Sequence, residues 1–309
     1  MVKSLQANIT FFSSPPYKRN NNFINPFFSI MVEEEEEEQA NYIDLGGASF
    51  RRFGGGIREE IARWFYKSFP TQGLVWAREN TSACYYFTGD DDAGEDGFMR
   101  KDGKKKGEIM GFKSHSKYHP INARRERGMI TSATLPTGNT HCAVFPRSTL
   151  GTYLVVTGLN ISDENVYVAV VVTMKFSDKI ARARQQVYTN LHRALTVLGD
   201  QVTIHGTDAE PKMKPPHGLN EWVTVWIQWG TSTDPASHVY MATKNSSDDR
   251  AFMANHRNGE QLNIGSLPGG GDGFVGSIAA FEVYTSTEHF PSNELRDHII
   301  EDHQKIVAG

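Results

Sequence analysis

The chain has 309 residues, 39% of them apolar and 22% charged, with a formal net charge of −4. That length holds one large β domain or two ordinary ones, and so small a charge excludes a dedicated nucleic-acid binder, which carries a strongly basic face. No apolar run reaches the roughly 18 residues of a membrane-spanning helix, and two cysteines, Cys84 and Cys142, are too few for a disulfide-stapled module.

Residues 1–40 read as a disordered acidic arm. Their apolar positions are not periodic, and Glu33–Glu38 is a run of like charge that repels itself and stays solvated. No continuous apolar stretch precedes a small-residue cleavage site, so no signal peptide is expected. Cytosolic synthesis or a place on a virion or particle surface follows. Order begins with YIDLGG at Tyr42. Ile57–Phe69 fits either a helix, from the spacing of Ile57, Ile61, Trp64 and Phe65, or an aromatic strand. ACYYFTGD reads as a short strand. Asp90–Gly107 reads as exposed hairpin turns around two Asp-Gly pairs, and Lys113–Arg127 as a basic loop. The two cysteines read as separate buried thiols.

Strands return with THCAVF and GTYLVVTGL. VYVAVVVTMKF, Val166–Phe176, is β-branched without strict alternation, as a central strand buried on both faces requires. ALTVLGD and QVTIHG form a hairpin around Gly-Asp. WVTVWIQW alternates, with Trp222, Thr224, Trp226 and Gln228 on one face and Val223, Val225, Ile227 and Trp229 on the other. HVYMATKN and two closing strands follow. Pro291 and Ser292 then open a terminal helix with Leu295, Ile299 and Ile306 on its apolar stripe and His298 and His303 on its polar surface.

NEWVTVWIQWG, then LNIGSLPGGGDGFVGSIAAFEVY over Leu262–Tyr284, then a short helix, resembles the closing strands of the concanavalin A-like lectin/glucanase superfamily, in its laminin-G-like branch. The resemblance implies an all-β, antiparallel jelly-roll β-sandwich over residues 150–309. Residues 41–149 would be either a separate small β-rich domain or the first part of the same sandwich. It further implies ligand binding on a concave sheet face and its rim. Trp222 would be core, while Trp229, with Gln228, Tyr240 and Asp272, becomes the ligand-binding set.

Calcium at the rim would need hard oxygen donors, for which Asp90, Asp92 and Asp96 are the candidates. This is no EF-hand, because twelve residues from Asp90 ends on Lys101. His115 and His119 are four apart, but Pro120 opposes the helix that a zinc pair would need. The glucanase branch commonly carries its acids as E-x-D-x-E on one strand. The pattern is missing, the only E-x-E matches lie in Glu33–Glu38, and Glu282 stands alone. No G-x-S-x-G occurs. The expected function is therefore non-catalytic recognition of a glycan or protein surface. The alternative is a virion or particle surface protein, a fibre or spike head that binds a host receptor as a homo-oligomer. A glycoside hydrolase stands third.

Overall fold

The computed structural model describes residues 42–44 and 49–51, and residues 83–308 except 90–96, 101–107, 116–120, 138–140, 149–150, 160, 162, 178–180, 216–217, 219, 245 and 255–258. The acidic arm, the segment 57–69 and the calcium candidates Asp90, Asp92 and Asp96 lie outside the described residues. The chain divides into two compact units, Met1–Trp76 and Ala77–Gly309. In the first, β1 (Tyr42–Asp44) pairs with β2 (Ser49–Arg51) as an antiparallel hairpin.

The second unit is built from antiparallel strand ladders and a C-terminal helix. Its strands are β3 (Ala83–Thr88), β4 (Phe98–Arg100), β5 (Glu108–Phe112), β6 (Ala123–Arg127), β7 (Ile130–Thr134), β8 (His141–Phe145), β9 (Tyr153–Thr157), β10 (Tyr167–Phe176) and β11 (Ala181–Asn190). They continue with β12 (Arg193–Gly199), β13 (Gln201–His205), β14 (Lys212–Met213), β15 (Val223–Trp229), β16 (Ala236–Thr243), β17 (Ser246–Met253), β18 (Gln261–Ile264) and β19 (Gly276–Ser286). The helix α1 spans Asn293–Val307.

Hydrogen bonding sorts these strands into two layers. The first runs β17–β16–β15–β10–β19, and the far edge of β19 is shared by β8 near its start and β3 further on. β7 lies outside β8. The second runs β14–β13–β12–β11–β18–β9–β6–β5–β4. β5 makes the corner between them: Glu108 and Ile109 pair with β7, whereas Gly111 and Phe112 pair with β6. Only glycine fits at that turn, since a Cβ on Gly111 would stand 2.0 Å from the Ala123 carbonyl oxygen.

One core fills the space between the layers. Val168, Val170, Val172, Val225, Ile227 and Phe281 from the first meet Leu154, Val156, Tyr188, Leu195, Val202 and Ile264 from the second. Phe281 stacks on Phe87, with ring centroids 4.4 Å apart, and takes the edge of Phe112 at 5.3 Å. β10 lies between β15 and β19 and is buried on both faces, as its unbroken β-branched run requires. Because β3 and β8 bond directly to β19, residues 83–145 share the ladders of the later strands. The basic stretch is corrected: Arg124, Arg125 and Arg127 lie on β6 and not in a loop. No described helix is long and apolar enough to cross a membrane.

The outer face of the first layer is covered. Ser292 caps α1 by accepting from the Leu295 amide at 3.2 Å, and Leu295, Ile299, Ile300, His303 and Val307 turn inward onto the sheet. His303, expected at the surface, is fully buried.

Candidate functional site

The alternation in β15 separates its two faces as read from the sequence, but the inward face is the opposite one. Trp229 is 1% exposed and packs in the main core. Its indole N–H donates to the Tyr188 hydroxyl at 2.8 Å, the Arg193 guanidinium lies 4.9 Å from its ring centroid, and Phe252 meets it edge-on at 5.2 Å. Its role as a ligand contact is therefore corrected: Trp229 offers no open ring face. Trp222, expected in the core, is half-buried and packs with Ile306 in a small cluster under α1.

Gln228 and Tyr240 lie on the outer face of the first layer. Gln228 is buried opposite Ala169 and His238, and Tyr240 carries the Arg296 guanidinium of α1 at 4.9 Å from its ring centroid. Further along this face sits a fully buried polar group. Glu282 accepts from His303 Nε2 at 2.9 Å, from the Tyr284 hydroxyl, and from the Cys84 thiol at 3.7 Å. His303 Nδ1 meets Thr173 Oγ1 at 2.8 Å, and Thr173 meets Thr224 at 2.9 Å. Trp226, beside Tyr284, keeps an indole N–H with no partner among the described residues. Glu282 and His303 are 0% exposed, so this cluster fastens the helix to the sheet and no solute reaches it.

The outer face of the second layer differs. No described helix packs on it. Leu195, Val197, Val202, Ile204, Leu262 and Ile264 point into the core, so their neighbours Thr196, Thr203, His205 and Asn263 point out. Registers align them across strands. Val155, Asn263, Thr189, Ala194 and His205 form one row that begins at Arg124. Gln186, Thr196, Thr203 and Lys212 form the next.

A bulge in β11 makes this second row. Val187 is the extra residue between Gln186 and Tyr188, which lets Gln186 face outward opposite Thr196 while Tyr188 faces inward opposite Leu195. The glycine-rich loop pins the bulge, with Gly265 N–H donating to Val187 O at 2.8 Å and Gln186 N–H to Asp272 O at 2.7 Å. Asp272 holds the loop by its left-handed backbone, φ 51°, and by accepting from Arg184 Nε at 2.7 Å. That ion pair engages one carboxylate oxygen, and the Asp272 carbonyl frames Gln186.

On this face Thr196 Oγ1 lies 2.7 Å from His205 Nε2, and His205 Nδ1 lies 2.9 Å from Glu210 Oε1. The order hydroxyl, imidazole, carboxylate is that of an activated nucleophile. A tetrahedral oxyanion would also need two aimed N–H donors. Thr196 sits between β11 and β13 at their paired positions, where sheet amides are spent on the ladders. Among the described residues the arrangement orients hydrogen bonds. Beside it Gln186 is 4% exposed, and its Oε1 has no partner among the described residues. A buried amide oxygen without a partner costs about 1–3 kcal/mol, which a ligand donor would recover.

Among the described residues no three His, Cys, Asp or Glu side chains gather as a metal site requires. Of the residues missed from sequence, Thr196, Thr203 and His205 carried a signal in the period-2 alternation of ALTVLG and QVTIH, while Gln186 and Asn263 lie on other strands. Polar threonines there stand between core aliphatics.

The molecule is thus an antiparallel all-β protein of two facing strand layers with a C-terminal helix. No family profile matches the chain, and no curated protein matches it. Among solved structures it is similar to a GH54 α-L-arabinofuranosidase soaked with a cyclic sulfate inhibitor, with TM-score 0.49 and 11% identity over 64% of this chain and 51% of that one. It is also similar to a receptor binding domain, at 0.48 and 8% over 75% and 53%. A third is the binding domain of botulinum neurotoxin DC in complex with SialylT, at 0.44 and 11% over 63% and 48%. The chain spans about half the length of these structures. Likeness at this level assigns neither ligand nor activity.

Proposed function

We propose that this protein is a non-catalytic glycan-recognition module on a concanavalin A-like jelly-roll sandwich, and that the outer face of its second layer holds the ligand. One observation carries the reading. Among the described residues, Gln186 Oε1 is a buried acceptor without a partner, in a row with the hydroxyls of Thr196 and Thr203. Sugars present many hydroxyl groups in fixed geometry, and such a face meets them with hydrogen bonds each contributing about 0.5–1.5 kcal/mol. The closed outer face of the first layer, under α1, supports the same choice by elimination.

The test is binding of the full chain to a printed glycan array, in calcium and in EDTA, beside Gln186→Leu of matching thermal stability. Selective binding that the substitution abolishes supports the reading. Binding that EDTA abolishes and Gln186→Leu leaves intact moves the site to the acidic turn of Asp90, Asp92 and Asp96. An array without a bound glycan overturns glycan recognition and leaves a protein surface as the partner class.

A further inference from the structure

β17 ends the first layer, bonded to β16 on one side and to no described strand on the other. The hairpin decides which backbone groups face that open side. Thr243 and Ser246 close a two-residue turn, so Ser246, Asp248, Arg250 and Phe252 direct their amides and carbonyls at β16. The Ala254 amide, donating to Pro235 O at 3.0 Å, continues that series. The backbone groups of Ser247, Asp249, Ala251 and Met253 therefore point away from the sheet. Those of Met253 are met by the loop before β14: its N–H donates to Asp208 Oδ1 at 3.3 Å, and its carbonyl accepts from Asp208 N–H at 3.4 Å. The backbone of Ser247, Asp249 and Ala251 has no such partner among the described residues, and all three residues are exposed.

An open edge can take a further strand, and the charges on this one select which. Asp248 and Arg250 lie on the same face, opposite Met241 and Val239. Arg250 Nε and Nη2 donate to both Asp248 oxygens at 3.1–3.3 Å, yet the two side chains stay 55% and 36% exposed. A strand without matching charges would strip water from this pair and replace it with nothing. A second copy is different. Laid antiparallel about a two-fold axis through Asp249, it sets Asp248 of each chain opposite Arg250 of the other, and the four side chains alternate in sign. Moving the axis to Asp248 or to Arg250 sets like charges opposite each other, so charge selects one register. The cost lies on the other face, where Asp249 meets its own copy. Within each chain His238 Nδ1 stands 3.5 Å from Asp249 Oδ1.

We propose that the free edge of β17 is a homodimer surface, on which a second copy of this chain pairs antiparallel about Asp249 and joins two first layers into one continuous sheet. A two-fold contact uses the same strand on both copies and closes at two, which leaves no edge for a third. The proposal is independent of glycan recognition, since it uses neither Gln186 nor a ligand.

The test is sedimentation equilibrium of the full chain across the micromolar range, where a dimer is expected. Arg250→Asp should weaken it by at least about tenfold, because the like charges it creates meet twice across the axis. Combining Asp248→Arg with Arg250→Asp restores the alternation and should return the wild-type affinity. Asp249→Asn removes the repulsion on the axis and should tighten the dimer about two- to fivefold. Asp249→Pro removes the central edge donor, a change that an edge strand tolerates, and should leave a monomer of unchanged thermal stability. Amide exchange at Ser247, Asp249 and Ala251 should slow as the dimer forms. A wild-type monomer throughout that range overturns the proposal. So does a dimer that Arg250→Asp and Asp249→Pro both leave intact, since the copies then meet elsewhere.

Discussion

Both outer faces of this sandwich carry a threonine, a histidine and a glutamate in a hydrogen-bonded line, and the two lines serve opposite ends. Under α1, Thr173, His303 and Glu282 are sealed, and two further donors, Tyr284 and Cys84, converge on the carboxylate. On the other face, Thr196, His205 and Glu210 run outward, with the His205 side chain 25% and the Glu210 side chain 53% exposed. The ring is also reversed: Nδ1 meets threonine in the sealed line and glutamate in the open one. The same three residue types thus fasten a helix where the whole line is buried, and orient a buried threonine from a histidine and a glutamate that meet water. Burial, more than residue identity, decides which.

The contrast is broken most strongly at the sealed line. His303→Ala or Glu282→Ala leaves the other group buried without its partner. Either is expected to lower the unfolding free energy by about 3–5 kcal/mol, read by urea denaturation. A loss no larger than a surface substitution gives would show that α1 does not depend on the pair.

Next in size is the core on which both faces stand. Tyr188→Phe orphans the Trp229 indole N–H, which is expected to cost about 1–3 kcal/mol at neutral pH. It also changes the alkaline limb. Burial raises the Tyr188 hydroxyl above its ordinary value of 10.0, against the smaller opposing pulls of the Trp229 hydrogen bond and the Arg193 charge. The unfolded chain therefore releases this proton before the folded one. The contribution is whole below pH 10.0 and falls as pH rises beyond it. Wild-type stability measured above that value should decline more steeply than that of Tyr188→Phe, and parallel slopes would contradict the assignment.

A smaller effect is expected at the tip of the β11–β12 hairpin. Leu191 holds a left-handed backbone, φ 54°, with its side chain 63% exposed. Leu191→Asn is expected to raise stability by about 1 kcal/mol, since asparagine tolerates that conformation better. A fall would mean that the leucine makes a contact worth more than its strain.

The smallest stability change, and the largest binding change, is expected at the open line. Glu210→Ala should alter the unfolding free energy by no more than about 0.5 kcal/mol, while sugar binding to the array drops. A destabilisation as large as that of His303→Ala would make the two lines equivalent and remove the contrast.

The all-β class, the central strand at Val166–Phe176 and the terminal helix were legible because long, regular apolar periods survive any tertiary context. Which face of β15 lay inside was not, because alternation separates Trp226 from Trp229 without saying which side the second layer will occupy. His303 looked like a surface residue for a related reason: a histidine on a charged helix is read as solvated until Glu282, on another strand, is known to lie beneath it. Arg124–Arg127 read as a loop, since charge in a short segment mimics a turn. In β6 Arg124 is exposed on the outward row, whereas Arg125, opposite Leu154, is largely covered and pairs with Glu108. The outward placing of Gln186 depends on a bulge at Val187, and a one-residue slip between strands leaves no mark in composition.

The placing of β19 bears on how the molecule reaches its native state. This strand is central in the first layer, with β10 on one side and β3 and β8 on the other, yet it follows all of them in the chain. Cys84 and Glu282, neighbours in the finished sheet, are 198 residues apart in the chain. During synthesis β10, β3 and β8 must wait with open hydrogen-bonding edges, the state in which strands pair with wrong partners. Folding led by such distant contacts is slow, and the final layer closes only when Glu282 arrives together with the helix that covers it.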